Sequence, residues 1–271
     1  MTTKRLGILG FGLLLAALPA LAQAPSGPTT DEITSPAHGP MRLHGLVPGG
    51  VTSENWSGYA VKGTSFTYAK GSWHVPQVNC NKTPNTYSAF WVGLDGYSDS
   101  TVEQTGTSSD CNGTTPQYYA WYEFYPAGSF VISSVPVNPG DRMGATVTYS
   151  GGKFTVEIED ITTGKHYSKT QAVAGAKRTS AEWIAEAPCC TSGGGILPLA
   201  DFVVANFGED YNVYVPGSNN ATDGSLSNAP ISAFGNNIEE ITMVSSKSVT
   251  EAVPTALTSD GTSFRVNWKA E

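Results

Sequence analysis

The sequence predicts an all-β protein, an antiparallel β-sandwich. Three observations carry the prediction. Apolar and aromatic residues recur in short runs bounded by Gly, Pro, Asp and Asn. No stretch of the mature chain has the period of a convincing amphipathic helix. The composition is that of strands and turns, with 30 glycines in 271 residues and charged residues at 14%, against roughly 25% in an average soluble protein.

The elements follow in order. Lys4 and Arg5 precede an apolar run from Leu6 to Leu21, and small residues then fit an A-x-A cleavage site at Ala20-Leu21-Ala22 or Ala22-Gln23-Ala24. Residues 1–24 therefore read as a secretory signal peptide, too short in its apolar core for a membrane span. The chain is expected to be exported and free of the membrane once this segment is removed. Residues 25–51 are rich in Pro, Gly, Ser and Thr without periodicity, which predicts a disordered leader, either a propeptide or a plain linker. Residues 52–271 form one domain. Trp56, Tyr59 and Val61 open it. Strands are expected at Tyr87–Leu94 before the Asp95-Gly96 turn, at Tyr118–Tyr125, at Ala145–Tyr149 after Pro139-Gly140-Asp141, and at Phe154–Asp160 before Thr163-Gly164. Further strands are expected at Ser180–Glu186, Phe202–Phe207, Ile238–Val244 and Ser263–Trp268. No repeat or second domain is evident.

Charge excludes one class of partner. The 15 Lys+Arg stand against 23 Asp+Glu, a net charge of −8, with no basic cluster for nucleic-acid phosphates. Few carboxylates also mean few native ion pairs for acid to break, which is consistent with life at low pH. The four cysteines, Cys80, Cys111, Cys189 and Cys190, are expected to be oxidised in an exported chain. Cys80–Cys111 is the preferred bridge, since both flank the same central segment, and Cys189 and Cys190 are neighbours that would form a strained vicinal disulfide. A zinc site lacks a C-x-x-C pair, and no metal or cofactor is expected.

The search for chemistry starts with what is missing. There is no G-x-S-x-G, H-E-x-x-H or P-loop. His38 and His44 fall in the leader, His74 reads as a strand residue and His166 follows a turn, so a serine triad has no good base. The loops of aspartic proteases are absent as well. Carboxylates remain. In Ala181-Glu-Trp-Ile-Ala-Glu186 a strand would place Glu182, Ile184 and Glu186 on one face, with Trp183 and Ala185 on the other. Glu123 is flanked by large aromatics in Trp121-Tyr-Glu-Phe-Tyr125, either on a solvated face or kept for a site.

Six motifs occur in order: Asn55-Trp-Ser-Gly-Tyr59, Phe90-Trp-Val-Gly-Leu-Asp-Gly96, Val102-Glu-Gln-Thr-Gly106, Tyr119-Ala-Trp-Tyr-Glu-Phe-Tyr-Pro126, Pro139-Gly-Asp141 and Ala181-Glu-Trp-Ile-Ala-Glu186. Together, over roughly residues 54–244, they resemble the glutamic peptidases, or eqolisins. The resemblance implies a sandwich of two large antiparallel sheets with concanavalin-like, legume-lectin architecture, and a cleft on the curved sheet. It implies acid endopeptidase activity on protein or peptide substrates, insensitive to pepstatin, with Gln104 and Glu186 as the catalytic pair. Trp56, Trp91, Asp95, Trp121 and Glu123 match the family's supports near the cleft and are expected to bind substrate. A monomer is expected. The stretch after Glu186, with Ala187-Pro188, Cys189-Cys190 and Gly193–Gly195, departs from the family pattern and leaves subsite preference open.

Two other readings compete. A carbohydrate-binding or carbohydrate-cleaving sandwich would use the same aromatics, but two glutamates pointing the same way from one strand do not easily flank a glycosidic bond. A non-catalytic adhesion module explains the aromatics but not the placing of Gln104 and Glu186.

Overall fold

The computed structural model describes residues 1–2, 34–189, 195–208 and 219–271. The apolar run of the signal peptide, Cys190 and Gly193-Gly194 lie outside these residues. Eighteen strands are described: β1 (Leu43–Val47), β2 (Gly50–Ser53), β3 (Trp56–Lys62), β4 (Tyr68–His74), β5 (Ala89–Leu94), β6 (Val102–Asn112), β7 (Thr115–Tyr125), β8 (Phe130–Val131) and β9 (Arg142–Ser150), then β10 (Lys153–Asp160), β11 (Lys165–Gln171), β12 (Ser180–Glu186), β13 (Val204–Phe207), β14 (Asn220–Thr222), β15 (Ala229–Pro230), β16 (Ile238–Val244), β17 (Thr250–Pro254) and β18 (Phe264–Trp268). Among the described residues a 3-10 turn at Ile231–Asn237 is the one helical element.

The strands pair into two layers. The first runs β1-β2-β16-β3-β12-β5-β6-β7-β8, antiparallel throughout except where β2 meets β16. The second runs β11-β10-β9-β4, continues through β13 to β18 and β17, and joins the first where β17 pairs with β16. Alternation explains the packing. Met143, Ala145 and Val147 of β9 and Phe154, Val156 and Ile158 of β10 point inward and meet Tyr59, Val61, Phe90, Val92 and Trp183 from the first layer. A separate apolar cluster of Trp56, Ala60, Ala89, Trp91, Trp121 and Ile184 lies on the opposite face of that layer. This outer face carries the site.

Strand β12 is buried at all seven positions, on both faces. A sheet with one free face would alternate, so something covers the outer side. The cover includes the leader. Where composition suggested an unstructured segment, β1 pairs with β2, and β2 runs parallel to β16 through Gly50↔Glu240. Backbone pairing needs no hydrophobic periodicity, and this is why composition missed it. Residues 34–42 then cross the outer face.

Cys80 and Cys111 form the disulfide, joining the loop after β4 to the end of β6 with a sequence separation of 31. Closing a loop of that size restricts the unfolded chain by about 3–4 kcal/mol. Reduction is therefore expected to lower the melting temperature by several degrees, checked by calorimetry with and without a phosphine reductant. Of the four N-x-S/T asparagines, Asn81 and Asn112 are exposed, whereas Asn55 and Asn220 are buried and closed to glycan in the folded chain.

Candidate active site

Register places the candidate residues. Glu186 stands opposite Trp56 of β3 and Ala89 of β5. Gln104 stands opposite Gly93 of β5 and Glu123 of β7. Since directly opposed residues share a face, Glu182, Gly93, Gln104 and Glu123 form one row on the outer face. Ile184, Trp91, Gly106 and Trp121 form the next. Gly106 is required there, because a Cβ would lie 2.5 Å from the Cβ of Trp91 and 2.3 Å from the Phe90 carbonyl oxygen.

The Trp91 Nε1–H donates to Glu186 Oε2 at 2.8 Å. Trp56 packs edge-on against Trp91, with ring centroids 4.9 Å apart. Gln104 Nε2 donates to Glu123 Oε2 at 3.1 Å. Glu186 and Gln104 do not touch each other. His38 lies between them, fully buried. Its ring stacks on Trp121 at 3.6 Å and 10°. Its Nδ1 is 3.1 Å from Glu186 Oε2, its backbone N–H donates to Glu123 Oε2 at 2.9 Å, and its carbonyl accepts from Gln104 Nε2. His38 falls in the stretch whose composition reads as a leader, outside the six motifs. The one signal was its setting, Pro36-Ala-His-Gly-Pro40, a short stretch held between prolines.

The carboxyls here are perturbed. Burial first, then the Glu123 charge, pushes Glu186 well above the usual carboxylate range, opposed by the Trp91 N–H. Burial also raises Glu123, against the hydrogen bonds from His38 and Gln104. With the leader in place burial therefore favours the neutral carboxyl of Glu186. Trp91→Phe removes a donor that favours the ionised form. It is expected to move the acid limb of the kcat/KM–pH profile upward and to lower kcat, measured on a fluorogenic peptide.

Trp56, Trp91, Trp121 and Glu123 are thus gathered around the pair. Asp95 has another set of partners. Its carboxylate accepts the backbone N–H groups of Lys177 (3.0 Å), Arg178 (2.7 Å) and Thr179 (2.7 Å), pinning the turn before β12. Burial lifts it to about 6, with those hydrogen bonds pulling the other way. Glu182 and Glu186 are four residues apart on one strand, about 13 Å along it. That exceeds the roughly 5–9.5 Å across which glycosidase carboxyl pairs work. No group of metal-ligating side chains occurs among the described residues. No described helix is long and apolar enough to cross a membrane.

The molecule is thus a two-layer β-sandwich that carries a buried carboxyl and carboxamide, walled by tryptophans, on the outer face of one sheet. Residues 54–253 match the Peptidase A4 family, and the chain belongs to that family, the glutamic peptidases or eqolisins. It is 28% identical over 180 residues to aspergillopepsin-2 of Aspergillus niger, covering 57% of this chain and 62% of the relative. It is 32% identical over 157 residues to scytalidopepsin B of Scytalidium lignicola, covering 55% and 58%. The chain thus spans about three fifths of the length of the curated relatives it matches. A crystal structure of scytalido-glutamic peptidase with a transition state analog inhibitor superimposes with a TM-score of 0.65, at 23% identity, over 80% of this chain and 98% of that one. At that identity the likeness speaks for the fold.

Proposed function

We propose that the protein is a secreted endopeptidase acting at acid pH, with Glu186 as general base and acid and Gln104 as oxyanion donor. The observation that supports it most is the handling of the His38 peptide group. Gln104 donates to its carbonyl oxygen and Glu123 accepts its N–H, while the Glu186 carboxyl meets its imidazole Nδ1 at 3.1 Å. The first two are contacts a peptide substrate needs.

In the reaction, ionised Glu186 takes a proton from a water that attacks the scissile carbonyl carbon. The Gln104 N–H donates to the oxygen as it becomes an oxyanion, an interaction stronger in the transition state than in the substrate. Protonated Glu186 then hands its proton to the leaving amine, and the C–N bond breaks to a carboxylic acid and an amine. Glu123 holds the Gln104 amide in orientation. The tryptophans supply a dry wall for side chains and backbone, and Asp95 keeps β12 in register. No metal or cofactor enters, and the working unit is a single chain.

Cleavage of a denatured protein between pH 2 and 7, with pepstatin present, tests the proposal. Acid-limited, pepstatin-resistant hydrolysis is expected. A folded chain that cleaves nothing after prolonged incubation at pH 3 would remove the peptidase reading and favour a sugar-binding screen.

A further inference from the structure

We propose that the outer face of the second layer carries a binding site for a neutral saccharide, seated over Gly144 between Lys70 and Ser72 of β4 and Glu157 and Glu159 of β10. The site goes beyond the peptidase reading. It lies on the opposite side of the sandwich from Glu186.

A cavity of about 420 Å³ opens on this face, within the roughly 300–1,000 Å³ of small-molecule sites. Register builds it. Lys70, Thr146, Glu157 and Ser168 form one row across β4, β9, β10 and β11, and Ser72, Gly144, Glu159 and His166 form the next. Met143, Ala145 and Val147 point into the core, so both rows face outward. Gly144 makes the hollow. Its φ is not in the left-handed region, so the backbone does not call for glycine there. Space does, because a Cβ would stand 3.2 Å from Ile161 Cδ1 at the side of the cavity. A glycine inside a strand weakens it and often marks the close approach of a ligand.

Ser72 points to a ligand independently. It lines the cavity and is 1% exposed, yet its Oγ has no hydrogen-bond partner among the described residues. Its backbone is settled: the N–H donates to Asn219 Oδ1 at 3.3 Å, and the carbonyl accepts the Gly208 N–H at 2.9 Å. A buried hydroxyl left unpaired is costly, and a ligand hydroxyl in the cavity would pair it.

The lining selects the class of ligand. Two carboxylates, Glu157 and Glu159, stand against the Lys70 ammonium and the His166 imidazole, so neither sign dominates and a neutral ligand is favoured over an ion. A phosphate would meet both glutamates. A metal lacks its ligands, since no metal-ligating group occurs among the described residues. An extended peptide needs a free strand edge, whereas β9 and β10 are paired on both sides. A saccharide meets every condition. Its hydroxyls donate to the carboxylates, of which Glu157 is steadied by the Thr146 hydroxyl at 3.1 Å. They also accept from Lys70 and Ser72, and the C–H face of a ring rests on Ile161 and the half-buried Tyr167. With the proposed catalytic pair on the other layer, a glycan is held while a peptide is cut, which keeps the protein on glycan-bearing material.

The test titrates the full chain at pH 5 with maltotriose, cellotriose, mannotriose and triacetylchitotriose by calorimetry, as wild type, Ser72→Ala, Glu159→Ala and Gly144→Leu. At least one sugar should bind wild type in the millimolar range or tighter. Ser72→Ala removes an unpaired group and Glu159 is exposed, so both variants should melt with wild type, and each should weaken binding about tenfold. Gly144→Leu fills the hollow and should abolish binding; if it fails to fold, the other two variants decide. Hydrolysis of a sugar-free peptide should be the same with and without saturating saccharide. No binding by any of the four sugars would overturn the site, as would binding undiminished in both Ser72→Ala and Glu159→Ala. Competition between sugar and peptide would also overturn it, by placing the sugar among the tryptophans of the first layer. If no form cleaves peptide, the peptidase reading fails, and the titrations alone still decide the saccharide site.

Discussion

Glu186→Gln is expected to lower kcat by about three orders of magnitude or more at pH 4 while leaving the protein folded. General acid–base catalysis supplies about 10²–10⁴ in rate, and here one carboxyl serves both proton transfers, so the loss should fall at the upper end. The substitution is nearly isosteric. It replaces a carboxyl that burial beneath the leader favours in its neutral form, so the melting temperature at pH 4 should hardly move. Gln104→Ala should cost about 10²–10³, the usual worth of one oxyanion donor. The double variant should be little worse than Glu186→Gln alone, since the two act on one transition state. Glu182→Gln is the control. Glu182 shares the face and the row of Gln104 but contacts neither the pair nor His38, so kcat at pH 4 should stay within about twofold of wild type. Initial rates on one peptide, with circular dichroism on each variant, decide the matter. Full activity in Glu186→Gln would mean that the proton-transfer group has been misassigned.

Much of this was legible in the residues, and the failures have physical reasons. Strand β12 was readable because Glu182, Ile184 and Glu186 alternate with Trp183 and Ala185, and the structure divides them between the outer face and the core as that period requires. Strands β9 and β10 were readable for the same reason, with Pro139-Gly140 and Thr163-Gly164 as punctuation. Strand β6 was harder. Its Ser, Thr, Asp and Gln residues show no apolar alternation and no strand was expected there, yet ten of its eleven positions are buried. Its hydroxyls make hydrogen bonds inside the sandwich, such as Thr107 Oγ1 accepting from the Trp73 indole at 2.9 Å. Polar burial of this kind depends on partners far along the chain, which local pattern does not reveal. The leader failed for a related reason. Its order comes from backbone bonds to Gly96, Ser129 and Cys189, and its most buried residue, His38, owes its place to Trp121, Glu123 and Glu186, about 85–150 residues away. The proposed catalytic pair could be named from motifs, but what sits on it could not.

Stability is expected to peak near pH 4.5 and to fall as pH rises towards 9, a maximum more acid than is usual. The cause lies beside the site. Glu103 and Glu182 are fully buried, and none of their four carboxyl oxygens has a hydrogen-bond partner among the described residues. Burial, followed by the nearby charge of Asp95, raises Glu103 from 4.5 to about 9. Burial raises Glu182 well above its ordinary value, with Asp95, Asp99 and Glu103 adding to the shift. Asp110 is lifted to about 7 by burial, against its bonds to Tyr119 and Ser88. The folded chain therefore keeps protons that the unfolded chain releases, so unfolding becomes easier with each pH unit above the unfolded value. For Glu103 alone, the 2.5 units between 4.5 and pH 7 correspond to about 3 kcal/mol. At roughly 2–4 °C per kcal/mol for a domain of this size, that is a drop of about 6–12 °C in melting temperature. Glu103→Gln removes the titration while keeping the shape, and its curve should stay flatter between pH 4.5 and 7.5 while matching wild type at pH 4. Melting curves from pH 3 to 8 read both. A wild-type melting temperature that holds or rises across that range would show that these carboxyls are solvated or paired in the folded state. The sparse charge of the sequence hinted at acid tolerance through what is missing from the surface. The buried carboxyls supply a stronger cause, because their neutral forms favour the fold in the same acid range as the proposed chemistry.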